Sequence, residues 1–348
     1  MGKTIAFSTL FDSYYLDRGI VLYESLEKVC NDFILYVVLL DDISEKILSS
    51  MNYRKMVIIS QSEFEDDVLE RLKSRKSRSE YCWCCAGYSI RYVMGRFNLE
   101  SCTYLDADMR FFSDPTPAVT GFLQSDCDVA LSPHDFGKNV ESNYLQKKFG
   151  RYCVQFNSFK STDNGGRILN WWIDRCINPQ SQGDSKESFG DQGYLEEFET
   201  RFGGVYEYSD FGMGIAPWNI DKFKLKSDWV LCDKRTRETG KMIFYHFHQL
   251  DVSRDGQANL RVFIRPGKHD IETVMTIYQT YISEICHVRK LLNERYGLFE
   301  EKEEKFTPTV GIRSILELLA CEPNVLFAIR KAFRYLLYKK HDLVRFDV

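Results

Sequence analysis

No apolar run in the 348-residue sequence approaches the roughly eighteen residues that a membrane-spanning helix needs. The net charge is also low, because 46 basic and 50 acidic residues leave a formal charge of −4, which provides no overall field to attract nucleic acid. The N-terminal residues Met1-Gly2-Lys3-Thr4 lead into a strand pattern without the long apolar core of a secretory signal peptide. We therefore expect a cytoplasmic protein, in solution or peripheral at the inner face of the membrane, that binds no nucleic acid.

The eleven cysteines form neither a regular disulfide framework nor a zinc motif. Their number is odd, and no second Cys or His pair at zinc spacing accompanies Cys82-x-Cys84-Cys85. Free thiols in a reducing compartment are the expected state. With 44% hydrophobic and 14% aromatic residues, the chain is able to bury a large core and should fold as a globular protein.

Short apolar runs alternate with helical patterns through the first half of the chain. Strands are predicted at residues 5–9, 33–40, 56–60, 102–105, 110–112 and 129–131, and helices at 14–28, 44–50, 86–97 and 164–176. This alternation is typical of an α/β protein whose mostly parallel central sheet is covered by flanking helices. After residue 250 the pattern is helical, at 271–295 and 324–340, so we divide the chain into residues 1–250 and a C-terminal helical extension, 251–348.

Two aspartates follow the apolar strand pattern that ends in Tyr104-Leu105. In an extended segment the side chains of Asp106 and Asp108 point to the same face, whereas Ala107 points away. Such a carboxylate pair suits Mg²⁺ or Mn²⁺, which prefer oxygen ligands and commonly bridge one or two carboxylates to substrate phosphates. An isolated Asp-x-Asp pattern is more often a solvated turn, and it is the strand before the pair that favours a metal site here.

Two histidines end a second apolar strand pattern, Ile243-Phe244-Tyr245-His246-Phe247-His248. The alternation places both imidazoles on one face, where a neutral ring is a suitable third metal ligand. The alternative is a hydrogen-bonded structural pair. The pattern does not decide between His246 and His248 as the ligand. His134 lies in a loop pattern, where it either lines the site or pairs with its neighbour, and Trp218 is expected in the core.

Further motifs occur in a fixed order around the aspartate pair: Ser8-Thr9 with Tyr14-Tyr15, then Arg91, Phe156-Asn157 and Asp191-Gln192. With Tyr104-Leu105-Asp106-Ala107-Asp108 and His246, they resemble the nucleotide-sugar glycosyltransferases of the GT-A fold. The resemblance is to glycosyltransferase family 8 and to related bacterial polysaccharide and lipopolysaccharide transferases, and it covers about residues 4–250. That segment is then expected to be a GT-A catalytic domain.

The resemblance implies roles for individual residues. Asp106, Asp108 and His246 would bind Mn²⁺ or Mg²⁺, and Asp191 and Gln192 would act at the sugar and reaction centre. The set that would bind the donor comprises Ser8, Thr9, Tyr14, Tyr15, Arg91, Asp106, Ala107, Asp108 and Asn157. Two structural alternatives remain open, because tyrosines often pack at the start of an amphipathic helix and an aspartate often caps one.

The implied activity is metal-dependent transfer of a sugar from a nucleotide-diphosphate sugar, a UDP-sugar by resemblance, to a glycan or lipid-linked saccharide. If the family 8 likeness holds, the anomeric configuration is retained. Ser158-Phe159 and Gln249 depart from the family pattern, and no Lys-Pro-Trp follows residue 250, so the family and stereochemical outcome stay open. The alternatives are a non-catalytic nucleotide-sugar-binding protein of the same fold and, less favoured, a sugar nucleotidyltransferase, whose glycine-rich loop is missing after the first strand.

The C-terminal segment 324–340 combines five basic residues and no acidic residue with regularly spaced apolar residues. Such a basic amphipathic helix suits an anionic membrane surface. It equally suits a terminal helix that packs on the main domain with its cations in water. The sequence therefore leaves two interpretations of this segment open, an anionic membrane surface as its partner or packing on the main domain.

Overall fold

The computed structural model describes residues 4–137, 140–178, 191–253, 257–262, 269–298 and 343–346. At its centre is a seven-stranded sheet with the order β3-β2-β1-β4-β7-β6-β8. Its strands are β1 (Ile5–Phe11), β2 (Phe33–Leu39), β3 (Met56–Ile59), β4 (Ser101–Leu105), β6 (Val129–Pro133), β7 (Tyr152–Lys160) and β8 (Val205–Glu207). Four of the six strand pairings are parallel, and only β7 runs antiparallel to its neighbours β4 and β6. The α/β class with a mostly parallel central sheet is confirmed.

Helices connect these strands and cover both faces of the sheet. They are α1 (Leu16–Val29), α2 (Asp42–Met51), α3 (Gln61–Phe64), α4 (Asp67–Lys73), α5 (Arg78–Arg96), α6 (Thr116–Gln124), α7 (Val140–Phe149), α8 (Asp163–Ile177), α9 (Phe198–Phe202) and α10 (Ile271–Tyr296). Short 3₁₀ segments are present at Gln192–Glu197, Ile220–Lys222 and Ser227–Trp229. The alternation of strands and helices read from the sequence is therefore the order of the elements in the fold.

Helix α5 begins eight residues before its predicted start at residue 86. A capping box explains the difference, because the Ser77 backbone N–H donates to Glu80 Oε2 at 2.9 Å and the Glu80 backbone N–H donates to Ser77 Oγ at 3.4 Å. The polar composition just before residue 80 conceals this start. The longer helix matters for the site, since its first turn carries Arg78.

Two hydrophobic clusters fill the space on either side of the sheet. On one side, Leu22 and Leu26 of α1 pack with Phe156 and with Tyr278 and Ile285 of α10. On the other side, the buried residues come mainly from β2, α5, α8 and the 3₁₀ segment after residue 191. Because α10 fills the first cluster together with α1, the helix predicted at 271–295 is present and packs against the sheet domain.

Three smaller sheets complete the described fold. Strand β5 (Met109–Phe111) pairs antiparallel with β12 (Phe244–His246). The second small sheet contains β9 (Phe223–Leu225), β10 (Val230–Asp233) and β11 (Thr239–Lys241). The third contains β13 (Asp251–Val252), β14 (Gln257–Asn259) and β15 (Leu343–Arg345). The division of the chain at residue 250 stays a prediction. The amphipathic segment 324–340 lies outside the described residues.

A buried ionic network joins α1 to α10. Arg289 Nε donates to Asp17 Oδ2 at 2.7 Å, and Arg18 Nη1 lies 3.2 Å from Asp17 Oδ1, whose side chain is fully buried. The guanidinium groups also donate to backbone carbonyls, Arg289 to Val252 and Arg18 to Leu250.

Within the described ranges, no helix is both long and apolar enough to cross a membrane.

Candidate metal site and its surroundings

The two aspartates and one histidine predicted as metal ligands lie together at the carboxyl end of β4. Asp106 and Asp108 occupy the turn between β4 and β5, and β12 pairs with β5 so that His246 is opposite Met109. His246 Nε2 lies 3.1 Å from Asp108 Oδ1 and 3.7 Å from Asp106 Oδ2. The three ligand atoms all lie within 4.8 Å of one another, so one cation is able to contact all three.

A second layer of contacts orients the imidazole. His246 Nδ1 lies 2.8 Å from Gln155 Oε1, and Gln155 Nε2 donates to Ser132 Oγ at 3.2 Å. In the tautomer with Nδ1 protonated, Nδ1 donates to Gln155 and leaves the Nε2 lone pair facing the carboxylates. Metal-binding histidines usually donate their other ring N–H in this way. The donor set and its orientation therefore fit a divalent cation.

The electrostatics of the three residues show how strongly they attract positive charge. Burial, with the neighbouring Asp108 charge, raises the pKa of Asp106 to about 6. Burial also acts on Asp108, but the imidazole of His246 outweighs it and lowers the pKa of Asp108 to about 2. The pKa of His246 is raised well above its usual value despite burial, because Asp108 stabilises the imidazolium. A proton on His246 and a divalent cation thus compete for the same carboxylates.

Arg18 and Tyr15, both at the start of α1, act on the same carboxylates. Arg18 is 5% exposed, lies over the Tyr15 ring at 4.7 Å and helps to lower the pKa of Asp108. Burial raises the pKa of Tyr15, and the charge of Asp108 adds to the effect. Tyr15 was in the predicted donor-binding set, whereas Arg18 was missed. Its signal in the sequence is the Asp17-Arg18 pair, which begins two residues after Tyr15; the structure shows that most of the residues around this pair in α1 are buried.

The first turn of α5 provides a second arginine near this end of the sheet. Arg78 pairs with Asp12, which follows β1, and its guanidinium lies 4.5 Å from the centroid of the Tyr14 ring. Tyr14 itself is 55% exposed, unlike the packed tyrosine that an amphipathic helix start would suggest. In the sequence, Arg78 is the last of five basic residues in the segment 71–78, which favours a solvated surface loop over a lid on phosphates; the structure places it in a helix instead.

Arg91 lies further along α5 and away from the carboxylates. It is exposed, donates through Nη1 to Asn170 Oδ1 at 3.2 Å and lies over the Tyr88 ring at 4.3 Å. At a rise of 1.5 Å per residue, thirteen residues separate Arg91 from Arg78 by about 20 Å along the helix axis. Within the described residues Arg91 contacts Asn170 and Tyr88 and makes no contact with Asp106 or Asp108, and its role in donor binding stays a prediction.

The remaining predicted donor residues are buried in or beside the sheet. Ser8 and Thr9 lie within β1 at 0% exposure, and Ala107 is 7% exposed between the two aspartates. Asn157 is fully buried in β7, where its Oδ1 accepts the Ser132 backbone N–H at 3.0 Å. Contacts of these residues with a donor stay predictions.

Asp191 is buried near the metal ligands. Burial raises its pKa to about 8, and the charge of Asp106 adds to the effect. Asp191 is the N-cap residue of the 3₁₀ segment that follows, and its side chain makes no capping hydrogen bond of the usual kind there. Trp172 Nε1 donates to its backbone carbonyl at 2.9 Å. The neighbouring Gln192 donates through Nε2 to the Phe149 carbonyl at 3.1 Å.

Comparison with known proteins gives the following likenesses. No protein-family model matches the chain. YfnF of Bacillus subtilis (strain 168), an uncharacterized protein, is 28% identical over 308 residues, which are 86% of this chain and 99% of YfnF. Among solved structures, the galactosyltransferase LgtC in complex with donor and acceptor sugar analogs is 15% identical, with a TM-score of 0.46 over 86% of this chain and 98% of LgtC. The glycosyltransferase GlyE of Streptococcus pneumoniae TIGR4 is 14% identical, with a TM-score of 0.39 over 60% of this chain and 46% of GlyE, so the chain spans about half of that protein.

Proposed function

We propose that this protein is a GT-A glycosyltransferase that uses a divalent cation, Mn²⁺ or Mg²⁺, to transfer a sugar from a UDP-sugar to a glycan or lipid-linked saccharide. The observation that carries the proposal is the cluster of Asp106, Asp108 and His246 at the carboxyl end of a mostly parallel sheet. Ligands bind at this edge in open α/β sheets. The resemblance of the ordered motifs to the nucleotide-sugar transferases supports it.

In the proposed reaction, Asp106, Asp108 and His246 would hold the cation, and Gln155 would keep the imidazole in the ligating tautomer. The bound cation supplies Lewis-acid chemistry, neutralising the charge that develops on the departing nucleoside diphosphate. The acceptor hydroxyl attacks the anomeric carbon of the donor sugar, the bond from that carbon to the diphosphate oxygen breaks, and the hydroxyl proton passes to the departing diphosphate. The family 8 likeness predicts retention of configuration.

Cationic and aromatic side chains support the donor in this proposal. Arg18 and Arg78 place positive charge beside the metal ligands and the exposed Tyr14, where it stabilises the diphosphate. Tyr14 offers an exposed ring for stacking on the nucleobase, and Tyr15 lies close enough to Asp108 for that charge to raise the pKa of its phenol. Ser8, Thr9, Asn157 and Arg91 complete the donor-binding set by resemblance.

Asp191 and Gln192 are proposed to act at the reaction centre. A carboxyl group whose pKa is about 8 is mostly protonated at pH 7, so Asp191 is able to donate a hydrogen bond to a sugar or acceptor hydroxyl. A cation bound at Asp106 would reduce the repulsion that helps to keep Asp191 protonated. The ionised form then stabilises positive charge on the sugar ring.

The test combines donor binding with turnover. Thermal unfolding is recorded with UDP-, GDP- and CMP-sugars, with and without Mn²⁺, and release of the nucleoside diphosphate is measured in parallel. We expect UDP-sugars to stabilise the wild-type protein only with Mn²⁺, and Asp108→Ala to lose both the stabilisation and the release. Asp126→Asn, which changes an exposed carboxylate in the connection between α6 and β6, is the control. Wild-type turnover by Asp108→Ala would refute the metal assignment, and tight binding without release or transfer would instead indicate a non-catalytic binding protein.

Peripheral membrane binding through 324–340 is a separate part of the proposal, based on the sequence alone. Flotation with anionic liposomes compares the full chain with one that ends at residue 322. Binding by the full chain and its loss on truncation are expected, because roughly 1 kcal/mol per basic residue is available near an anionic surface. Equal flotation of both proteins would contradict the idea.

A further inference from the structure

Both chain neighbours of the ligand His246 pack on helix α10. Tyr245 and Phe247 have ring centroids 4.5 Å apart, so they share the face of the strand that His246 does not use. On that face, Phe247 stacks on Tyr281 with centroids 3.7 Å apart, and the Tyr245 hydroxyl donates to the Tyr278 hydroxyl at 3.2 Å. All four of these aromatic side chains are fully buried. The strand that carries the ligand therefore rests on α10 directly behind the imidazole.

Two arginines hold the backbone that follows the ligand histidine. Arg18 of α1 donates through Nη2 to the Leu250 carbonyl at 3.1 Å, and Arg289 of α10 donates through Nη1 to the Val252 carbonyl at 2.7 Å. Both guanidinium groups also contact the buried Asp17 carboxylate, Arg289 at 2.7 Å and Arg18 at 3.2 Å. Because paired charge-assisted contacts have a defined geometry, the shared carboxylate fixes the two arginines relative to each other. One buried network thus ties this backbone to α1 and α10.

The ligand strand is short, which makes its support important for the metal site. Strand β12 has three residues and pairs with the three-residue strand β5. Two strands of this length need packing against another element for stability. The ligands of a metal site have to keep their relative positions within about 0.5 Å. A shift of Phe247 against Tyr281 would move the adjacent His246 Nε2, which lies 3.1 Å from Asp108 Oδ1.

We infer that Tyr281 and Arg289 of α10 are positioning residues of the metal site, which hold the strand of His246 so that its imidazole stays beside the two aspartates. Neither residue is a metal ligand. Tyr281 acts through the ring of Phe247, and Arg289 acts through the Val252 carbonyl and the buried network. The inference rests on the cation of the proposed function, and it gives a role in the site to a helix beyond the predicted boundary at residue 250.

The affinity for Mn²⁺ alone tests the positioning role. It is measured on the full chain by electron paramagnetic resonance of the unbound ion, well below the melting temperature of every variant. Arg289→Gln and Tyr281→Leu are expected to weaken Mn²⁺ binding about 3- to 30-fold, the range for coupling through packed side chains. Within the described residues the Tyr281 hydroxyl makes no hydrogen bond, so Tyr281→Phe, which keeps the stacked ring, should bind Mn²⁺ like wild type. Arg289→Lys keeps the charge without the fork and should retain part of the affinity.

Ile168→Ala is the control for loss of stability alone. Ile168 is fully buried on α8, in the cluster on the other side of the central sheet, and its truncation leaves a destabilising cavity there. Weaker Mn²⁺ binding by Arg289→Gln and Tyr281→Leu, with unchanged binding by Ile168→Ala, supports the inference. Wild-type Mn²⁺ affinity in both α10 variants would overturn it, and so would an equal loss in Ile168→Ala.

Hydrogen exchange without metal separates this inference from the proposed function. The Phe247 N–H donates to the Asp108 carbonyl at 2.9 Å, and the Leu250 N–H donates to the Phe247 carbonyl at 3.0 Å. Both amides should exchange faster in Arg289→Gln than in Ile168→Ala, because only the former loosens this segment locally. If wild type bound no Mn²⁺, the metal assignment would fail, and exchange alone would decide whether α10 positions the strand. Equal exchange of these amides in the two variants would overturn the inference.

Discussion

Replacing Asp191 by asparagine should stabilise the protein, and by an amount that grows with pH. The pKa of this carboxyl group is about 8 in the folded protein against an ordinary value of 3.8. Between these pH values Asp191 is ionised in the unfolded chain but protonated in the folded chain, so the free energy of unfolding falls as pH rises towards 8. About four pH units at about 1.4 kcal/mol each correspond to a cost of about 6 kcal/mol at pH 8 and above, and of about 2 kcal/mol at pH 5.

Asparagine has the same shape and does not ionise, so it avoids this cost. The free energy of unfolding of Asp191→Asn relative to wild type should therefore increase by about 4 kcal/mol between pH 5 and pH 8 and then level off. For a chain of this size, at roughly 2 °C per kcal/mol, the melting temperatures should diverge by about 8 °C over that range. Thermal unfolding of both proteins at pH 5, 6, 7, 8 and 9, without metal, measures the divergence.

Two further measurements make this prediction specific. Asp126→Asn, at an exposed position, should change the melting temperature by the same small amount at every pH. Mn²⁺ should flatten the pH dependence of wild type, because a cation at Asp106 removes the repulsion that contributes to the raised pKa of Asp191. If the melting temperatures of wild type and Asp191→Asn differed by the same amount at every pH from 5 to 9, the reasoning would be refuted.

Two other substitutions test the supports of the site. Gln155→Leu removes the acceptor for His246 Nδ1 and should weaken Mn²⁺ binding about 10- to 100-fold in a thermal-shift titration. Gln155→Glu keeps an acceptor and should retain Mn²⁺ binding. If the leucine variant and wild type had equal Mn²⁺ midpoints, Gln155 would have no orienting role. Arg289→Gln leaves the buried Asp17 with one guanidinium partner fewer and should lower the free energy of unfolding, measured in urea, by about 3 kcal/mol. The control Lys290→Gln, at an exposed position, should leave it unchanged. An unchanged free energy of unfolding in Arg289→Gln would show that the network contributes no stability.

The fold could be predicted largely because its signals are local. Apolar runs such as 33–39 and helical patterns such as 163–177 specify their own elements, and their alternation implies a parallel sheet. The order of the strands was not accessible, since β7 inserts antiparallel between β4 and β6 through contacts between distant segments. The start of α5 was missed because its capping box lies in a charged stretch that resembles a loop.

The candidate site divides in the same way. Asp106 and Asp108 are two residues apart at a strand end, so a single segment shows that they share a face. Arg18 is missed because an arginine on a helix ordinarily indicates only a solvated face. Arg78 belongs in the sequence to the basic segment 71–78, which favours a solvated loop, and only the fold places it over the Tyr14 ring. The position of Arg91 on the exposed side of α5 depends on the helix's rotation, which its sequence leaves undetermined.

The choice between His246 and His248 is a matter of strand register. Both imidazoles share a face by alternation, but β12 pairs with β5 so that His246 is opposite Met109, the residue after Asp108. The Phe247 backbone N–H donates to the Asp108 carbonyl at 2.9 Å, which locks this register beside the ligand, while His248 lies beyond the strand and is exposed. A slip of one residue would turn His246 to the opposite face. The geometry therefore favours His246 as the third ligand, and a change in the pairing of β5 with β12 should be detectable as a loss of metal binding.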